Sequence, residues 1–193
     1  MKTKIVYLCI GLMLGGCFNT DTNTSSPEQK NVAASQVASN NSQYSNDEKL
    51  QLEKAKSLYR EKRYSEAIPL LEELAKKGNE IAQFILASTY ETGEGNIKQD
   101  LKLAEKWYLM NESADGLMFL GEFYLRNEIN IDKGISALEK SAKLGNDESM
   151  YVLGMIYKKG LYNIPKDATK AEKFLQDAAQ KGNIHAKEEL SKN

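Results

Sequence analysis

The sequence predicts an all-α fold, a short α/α solenoid of about four helical hairpins followed by a closing helix. Three observations carry that expectation. Apolar residues recur three and four apart, as from Ala55 to Leu58 and Tyr59 (with Leu50 before them) and again at Ala67, Leu70, Leu71 and Leu74, which is the period of a helix with one buried face. No run alternates polar with β-branched residues, so no sheet is expected. A helical segment also returns at near-constant spacing: residues 82–90 reappear as 116–124 and as 149–157, with Leu86, Leu120 and Leu153 spaced 34 and 33 residues apart. Self-similarity at such a period marks stacked units that bury one another's apolar faces.

The chain opens with Lys2 and Lys4, followed by an apolar stretch from Ile5 to Leu14. That stretch is too short to span a bilayer, which takes about 20 apolar residues. The run Leu14-Gly15-Gly16-Cys17 resembles the lipobox of bacterial lipoproteins. The resemblance implies a signal peptide over 1–16, removed in the mature protein, and a diacylglycerol on Cys17 with a further acyl chain on its amine. Each buried methylene contributes about 0.8 kcal/mol, so two or more such chains anchor a protein durably. Phe18, rather than Asp, follows the cysteine, which in that family permits sorting to the outer membrane. The expected location is therefore the cell envelope, the outer membrane ahead of the inner and the periplasmic face ahead of the surface. Cys9 lies in the removed segment, so Cys17 would be the only thiol left and the fold has no disulfide.

From Phe18 to Asn46, 18 of 29 residues are Ser, Thr, Asn or Gln, too few of them apolar to offset the entropy of ordering the segment. Residues 17–46 are read as the lipidated cysteine and a disordered polar tether, spanning roughly 30 Å on average as a random coil. Composition changes at Asp47, and residues 47–193 are long enough for one packed body.

Within the body a first hairpin is expected over 55–77. Each repeated helix then runs into a turn and a partner helix. Asp100 and Asp167 stand where an N-cap carboxylate would accept unpaired backbone N–H groups, and Gly78, Gly145 and Gly182 fit left-handed C-caps. Ala87, Gly121 and Gly154 follow the repeat leucines and would let a partner helix approach closely. The middle unit is degenerate: Asn130 replaces Asp, Ala137 replaces the aromatic, and its turn is about four residues short, so a tighter loop and a displaced surface are expected. Residues 184–190 form the closing helix.

These residues resemble the Sel1-like repeat, an αα-hairpin related to the tetratricopeptide repeat. The unit from Ala82 carries Leu86, Tyr90, Gly93, Gly95, Asp100, Ala104, Trp107 and Tyr108 at that family's positions, with Ala87 where the family has Gly. The middle unit keeps Leu120, Gly121, Tyr124, Lys133, Ala142 and Gly145. The unit from Ser149 carries Leu153, Gly154, Tyr157, Gly160, Asp167, Ala171 and Gly182, with Phe174 at the tryptophan position. Before them, Tyr59, Lys62, Tyr64, Ala67 and Leu71 fall near tetratricopeptide Tyr, Gly, Tyr, Ala and apolar positions. The resemblance implies a right-handed solenoid with a concave, protein-binding surface. Tyr59, Tyr90, Tyr108, Tyr124 and Tyr157 then read as packing residues, while Tyr151 and Tyr162 are the candidate partner contacts.

Little in the sequence points to catalysis. His185 has no second histidine or cysteine beside it, so a zinc site is not expected, and a capping or surface role is. Gly93-x-Gly95 lacks the rest of either nucleotide fingerprint. Ser35, Ser39 and Ser42 sit in the tether, where nothing holds them to catalytic tolerance. Glu72-Glu73 and Glu188-Glu189 are adjacent in sequence and so diverge on a helix. The body holds 23 basic and 25 acidic residues, a near balance that offers nucleic acid no basic stripe. No cofactor or metal is expected. The leading expectation is a membrane-tethered, non-catalytic protein–protein interaction module of the bacterial envelope: an adaptor, assembly factor or inhibitor. Similar repeats imply a narrower setting, an immunity lipoprotein that neutralises a lipase-type toxin of the type VI secretion system. Peptidoglycan or glycan binding and hydrolysis are the remaining alternatives.

Overall fold

From Asn79 onward, short polar side chains (Asn79, Asp100, Ser113, Asn130, Asn146, Asp167 and Asn183) close the first turn of each helix. The computed structural model describes residues 44–192. The chain divides into Met1–Ser45 and Asn46–Asn193, and the signal segment, Cys17 and the tether as far as residue 43 lie outside the described residues. Among the described residues there are nine α-helices and no strand. They are α1 (Asn46–Arg60), α2 (Tyr64–Lys76), α3 (Glu80–Thr92), α4 (Leu101–Leu109), α5 (Ala114–Arg126), α6 (Ile131–Lys143), α7 (Asp147–Lys159), α8 (Ala168–Gln180) and α9 (Ile184–Leu190), with a single 3₁₀ turn at Leu161–Asn163. Four consecutive hairpins, α1–α2 to α7–α8, stack into an α/α solenoid that α9 closes, and the main helix contacts run between consecutive helices.

The caps follow the repeat. Asp100 accepts from the N–H groups of Lys102 and Leu103, and Asp167 from that of Lys170. Asn130, in the degenerate unit, performs the same task for Lys133, since an amide oxygen caps as well as a carboxylate. The closing helix is capped by Asn183, not His185. His185 is exposed in the first turn, its ring 5.7 Å from that of Tyr151. The two long turns close alike: Asp100 N–H donates to the Tyr90 carbonyl at 2.7 Å and Asp167 N–H to that of Tyr157 at 3.1 Å. The middle turn spans only residues 127–130, and Ile129 N–H reaches the Tyr124 carbonyl at 3.1 Å.

Gly78, Gly145 and Gly182 all take positive φ, from 91° to 109°. Lys62, at the position where the tetratricopeptide pattern has Gly, adopts φ 61°. A side chain in that region costs about 1–2 kcal/mol, partly offset because Gly loses more freedom on folding. Lys62→Gly is therefore expected to stabilise the body by a few tenths to about 1 kcal/mol, read as a shift in denaturation midpoint at unchanged slope.

Small residues set the helix crossings. A Cβ on Gly121 would lie 2.7 Å from Leu138 Cγ and 3.0 Å from the Gly134 carbonyl; one on Gly134 would lie 2.8 Å from Leu125 Cγ and 3.1 Å from the Gly121 carbonyl. The degenerate hairpin thus brings two backbones into direct apposition, glycine against glycine. Gly154 meets Leu175 and the Ala171 carbonyl in the same way. The core divides into two clusters that meet at α5. Leu120, Phe123 and Tyr124 belong with α1–α4 and Ala137 of α6, whereas Met118 and Leu125 belong with the rest of α6 and α7–α9.

Candidate protein-binding wall

The first helices of successive hairpins, α3, α5 and α7, stand side by side. Phe84 of α3 lies against Phe119 of α5 with ring centroids 4.2 Å apart, and the Asn146 amide that opens α7 donates to Asp115 of α5 at 2.8 Å. These helices leave Phe84, Phe119, Tyr151, Val152 and Met155 only partly buried, an aromatic and aliphatic stripe one or two residues wide per repeat. Phe119 packs on both core clusters. The wall carries six acidic residues against three basic ones, a net of −3. The helices behind it, α4, α6 and α8, carry seven basic against five acidic, a net of +2.

Beside the stripe lies a buried polar network. Glu91 of α3, its side chain 6 % exposed, accepts from Arg126 Nε at 2.8 Å and Nη2 at 3.2 Å, from Asn127 Nδ2 at 2.8 Å and from the Tyr108 hydroxyl at 2.9 Å. Four donors on one carboxylate are what such burial demands. Burial and the adjacent Glu91 push the Tyr108 phenol far above its ordinary range. Burial alone would lower Arg126, but Glu91 outweighs it and the guanidinium is held charged. The short middle turn makes this possible, because Arg126 and Asn127 reach back to α3 where the other units place a long loop.

Glu122 is the exception. Its side chain is 8 % exposed and its nearest cation, Arg126 Nη1, stands 3.9 Å away, beyond a hydrogen bond; Nη1 itself is buried without a partner. Burial raises the Glu122 carboxyl above its usual range despite Arg126. As pH rises the unfolded chain gives up this proton first, so stability falls between the unfolded and folded pKa values and stays lower above them. Glu122→Gln is accordingly expected to melt at a higher temperature than the native chain at pH 7, the two converging below about pH 4; equal melting across that range would contradict it.

The repeat residues distribute as follows. Ala67, Leu86, Ala87, Ala104, Trp107, Tyr108, Leu120, Gly121, Tyr124, Leu153, Gly154, Tyr157 and Ala171 are buried, whereas Tyr59, Tyr90 and Phe174 are partly buried. Tyr124 donates to Glu105, and Tyr157 stacks on Phe174 at 6.0 Å with Lys170 over its ring at 4.8 Å. Gly95 lies against the Tyr64 ring, so the first long turn packs back onto the preceding hairpin. Tyr151 is on the wall. Tyr162 sits in the second long turn at φ 55°, partly buried, close enough to Glu122, Arg126 and Glu128 to feel their charge. The sequence reading passed over Glu91, Glu122, Arg126 and Asn127. The available signal was charge at i and i+4 (Glu122, Arg126) within a helix whose other central positions are apolar.

No group of three or more His, Cys, Asp or Glu able to hold a metal occurs among the described residues, and no helix among them is long and apolar enough to cross a membrane. Glu73 pairs with Lys77, and Glu189 with Lys158 and Lys192, so these carboxylates serve surface ion pairs.

The Sel1 repeat family model matches residues 81–110 and 147–183, the units on either side of the degenerate one. A Sel1 repeat protein from Oxalobacter formigenes is 30 % identical, with a TM-score of 0.52, over 64 % of this chain and 96 % of that one. The chain belongs to the Sel1-repeat family. A protective antigen present in uropathogenic Escherichia coli strains, displaying an SLR fold, is similar at 24 % identity and a TM-score of 0.53. That match covers 62 % of this chain and 27 % of the antigen, so the chain spans about a quarter of its length and the likeness concerns the fold. The immunity protein Pa5087 from Pseudomonas aeruginosa is 17 % identical over 69 % of this chain and 68 % of that one, with a TM-score of 0.33. No curated protein matches the sequence. As a Sel1-repeat solenoid of the tetratricopeptide type, the body is a non-catalytic protein–protein interaction module.

Proposed function

We propose that this Sel1-repeat module works in the bacterial envelope, anchored by lipid on Cys17 after removal of residues 1–16 and carried on a polar tether over 17–46. The body, 47–193, then holds one protein partner on the wall of α3, α5 and α7, with Tyr151 and Tyr162 as contacts. The observation that carries the binding reading is the wall itself. It presents partly buried aromatic side chains on a scaffold whose neighbouring network is buried and fully bonded at Glu91, and rigid aromatic anchors give large contact area for little rotamer entropy. The anchor rests on Lys2, Lys4, the short apolar run and Leu14-Gly15-Gly16-Cys17, and the absence of a disulfide requirement suits a chain with one remaining thiol.

The test is crosslinked capture from intact envelopes, comparing the native chain with Tyr151→Ala and with Cys17→Ser. A single partner captured by the native chain and lost with Tyr151→Ala supports the wall. Recovery of Cys17→Ser in the soluble fraction, with the native chain in the membrane fraction, supports the anchor. A partner captured equally by Tyr151→Ala would place binding elsewhere on the body.

A narrower setting is that of an immunity lipoprotein waiting in the periplasm for a lipase-type toxin of the type VI secretion system. Its motivation is compartment and size: a small single body on a tether needs only to block, not to act. Deletion should then sensitise cells in competition with a sister strain carrying the toxin, and unchanged survival would discard it.

A further inference from the structure

The acidic residues of the wall do not all have the same explanation. Glu80, Asp115, Asp147 and Glu148 occupy the first turns of α3, α5 and α7, where a carboxylate stabilises the helix N-terminus. Glu91 is consumed by Arg126, Asn127 and Tyr108. Glu122 has neither explanation. It sits in the middle of α5, more than nine-tenths buried, with no donor within hydrogen-bond distance and its closest cation already turned toward Glu91. The carboxylate is largely desolvated, yet its oxygens still reach solvent and so stay open to an incoming donor. It lies one helical turn from Phe119, with Tyr162 and Glu148 near enough to act on it or be acted on electrostatically. The local field there is negative: Glu91 and Glu148 both act to raise the Glu122 carboxyl against Arg126, which lowers it.

Resting on the binding-module reading above, we infer that Glu122 is the seat for a basic side chain of the partner protein, an Arg or Lys whose apolar neighbour lies over Phe119 and Tyr151. Such a residue supplies the donor that Glu122 lacks. Arginine fits better than lysine, because its planar fork can bond both oxygens of the carboxylate at once. The net charge of −3 on the wall draws a basic segment in and repels an acidic one. Selectivity would follow from Glu122, and contact area from the aromatic stripe.

The test uses the full mature chain as bait for a displayed random peptide library, in parallel with Glu122→Gln and Glu122→Arg. The native chain is expected to enrich peptides that place Arg or Lys next to an aromatic or aliphatic residue. The best of these should bind Glu122→Gln at least tenfold more weakly and Glu122→Arg not measurably. Since Glu122→Gln is also expected to melt higher than the native chain, weaker binding by a more stable variant excludes unfolding as the cause. Enriched peptides with no basic preference, or with equal affinity for Glu122→Gln, would overturn the inference while leaving the binding module standing, and failure to enrich any peptide would overturn it too. Whether the protein binds a partner at all is decided separately by the envelope crosslinking.

Discussion

Arg126→Ala is expected to destabilise the body by about 3–5 kcal/mol, lowering its melting temperature by roughly 10 °C for a domain of this size. The cause is not the loss of an attractive pair as such. Glu91 would remain almost fully buried with its charge, keeping only the Tyr108 hydroxyl and the Asn127 amide as donors. The substitution removes two of its bonds and the cation paired with it. Replacing both members, as Glu91→Gln with Arg126→Met, should cost clearly less than Arg126→Ala alone, because no uncompensated charge is left inside. Chemical denaturation of the single and double variants measures the difference. A double variant as unstable as Arg126→Ala would show that packing, rather than the stranded carboxylate, dominates.

Gly121→Leu is the second large effect. At this crossing even a methyl group would meet Leu138 Cγ at 2.7 Å and the Gly134 carbonyl at 3.0 Å, and one of those obstacles is backbone. Core overpacking ordinarily costs about 1–3 kcal/mol. A full leucine here must separate α5 from α6, so the loss should exceed about 3 kcal/mol. Gly182→Ala provides the contrast. It has φ 109° but nothing within 4 Å of the added carbon, so only backbone strain of about 1 kcal/mol is at stake. Thermal melts of the two variants should differ severalfold in their shift.

Most of the architecture was legible because the repeat makes it redundant. Asp100 and Asp167 specify caps, the glycines at 78, 145 and 182 specify turns, and the leucines at 86, 120 and 153 specify which face is buried. Each unit repeats the instruction. The degenerate unit shows what such a reading misses. Ala137 and Asn130 looked like erosion, yet Asn130 caps as Asp does. The shortened turn lets Arg126 and Asn127 occupy space a longer loop would fill. Glycine at 134, where the flanking units have Ala104 and Ala171, lets α5 and α6 meet backbone to backbone at Gly121. The candidate site was less legible for a physical reason. Glu91, Glu122 and Arg126 come from two hairpins, and only tertiary stacking reveals which charge is satisfied. Tyr162 likewise depends on a left-handed turn that no local pattern announced.

The dominance of contacts between consecutive helices has a consequence for how the molecule assembles. Every hairpin can form from neighbouring chain before distant segments arrive, so little loop entropy is spent ahead of the first reward and folding should be fast. Assembly need not start at one fixed place, since stability in such an array is a sum over units and their junctions. Pulled from its C-terminus, the body should give way in steps, α9 and then α8 with α7, before the force reaches α5, where the two core clusters join.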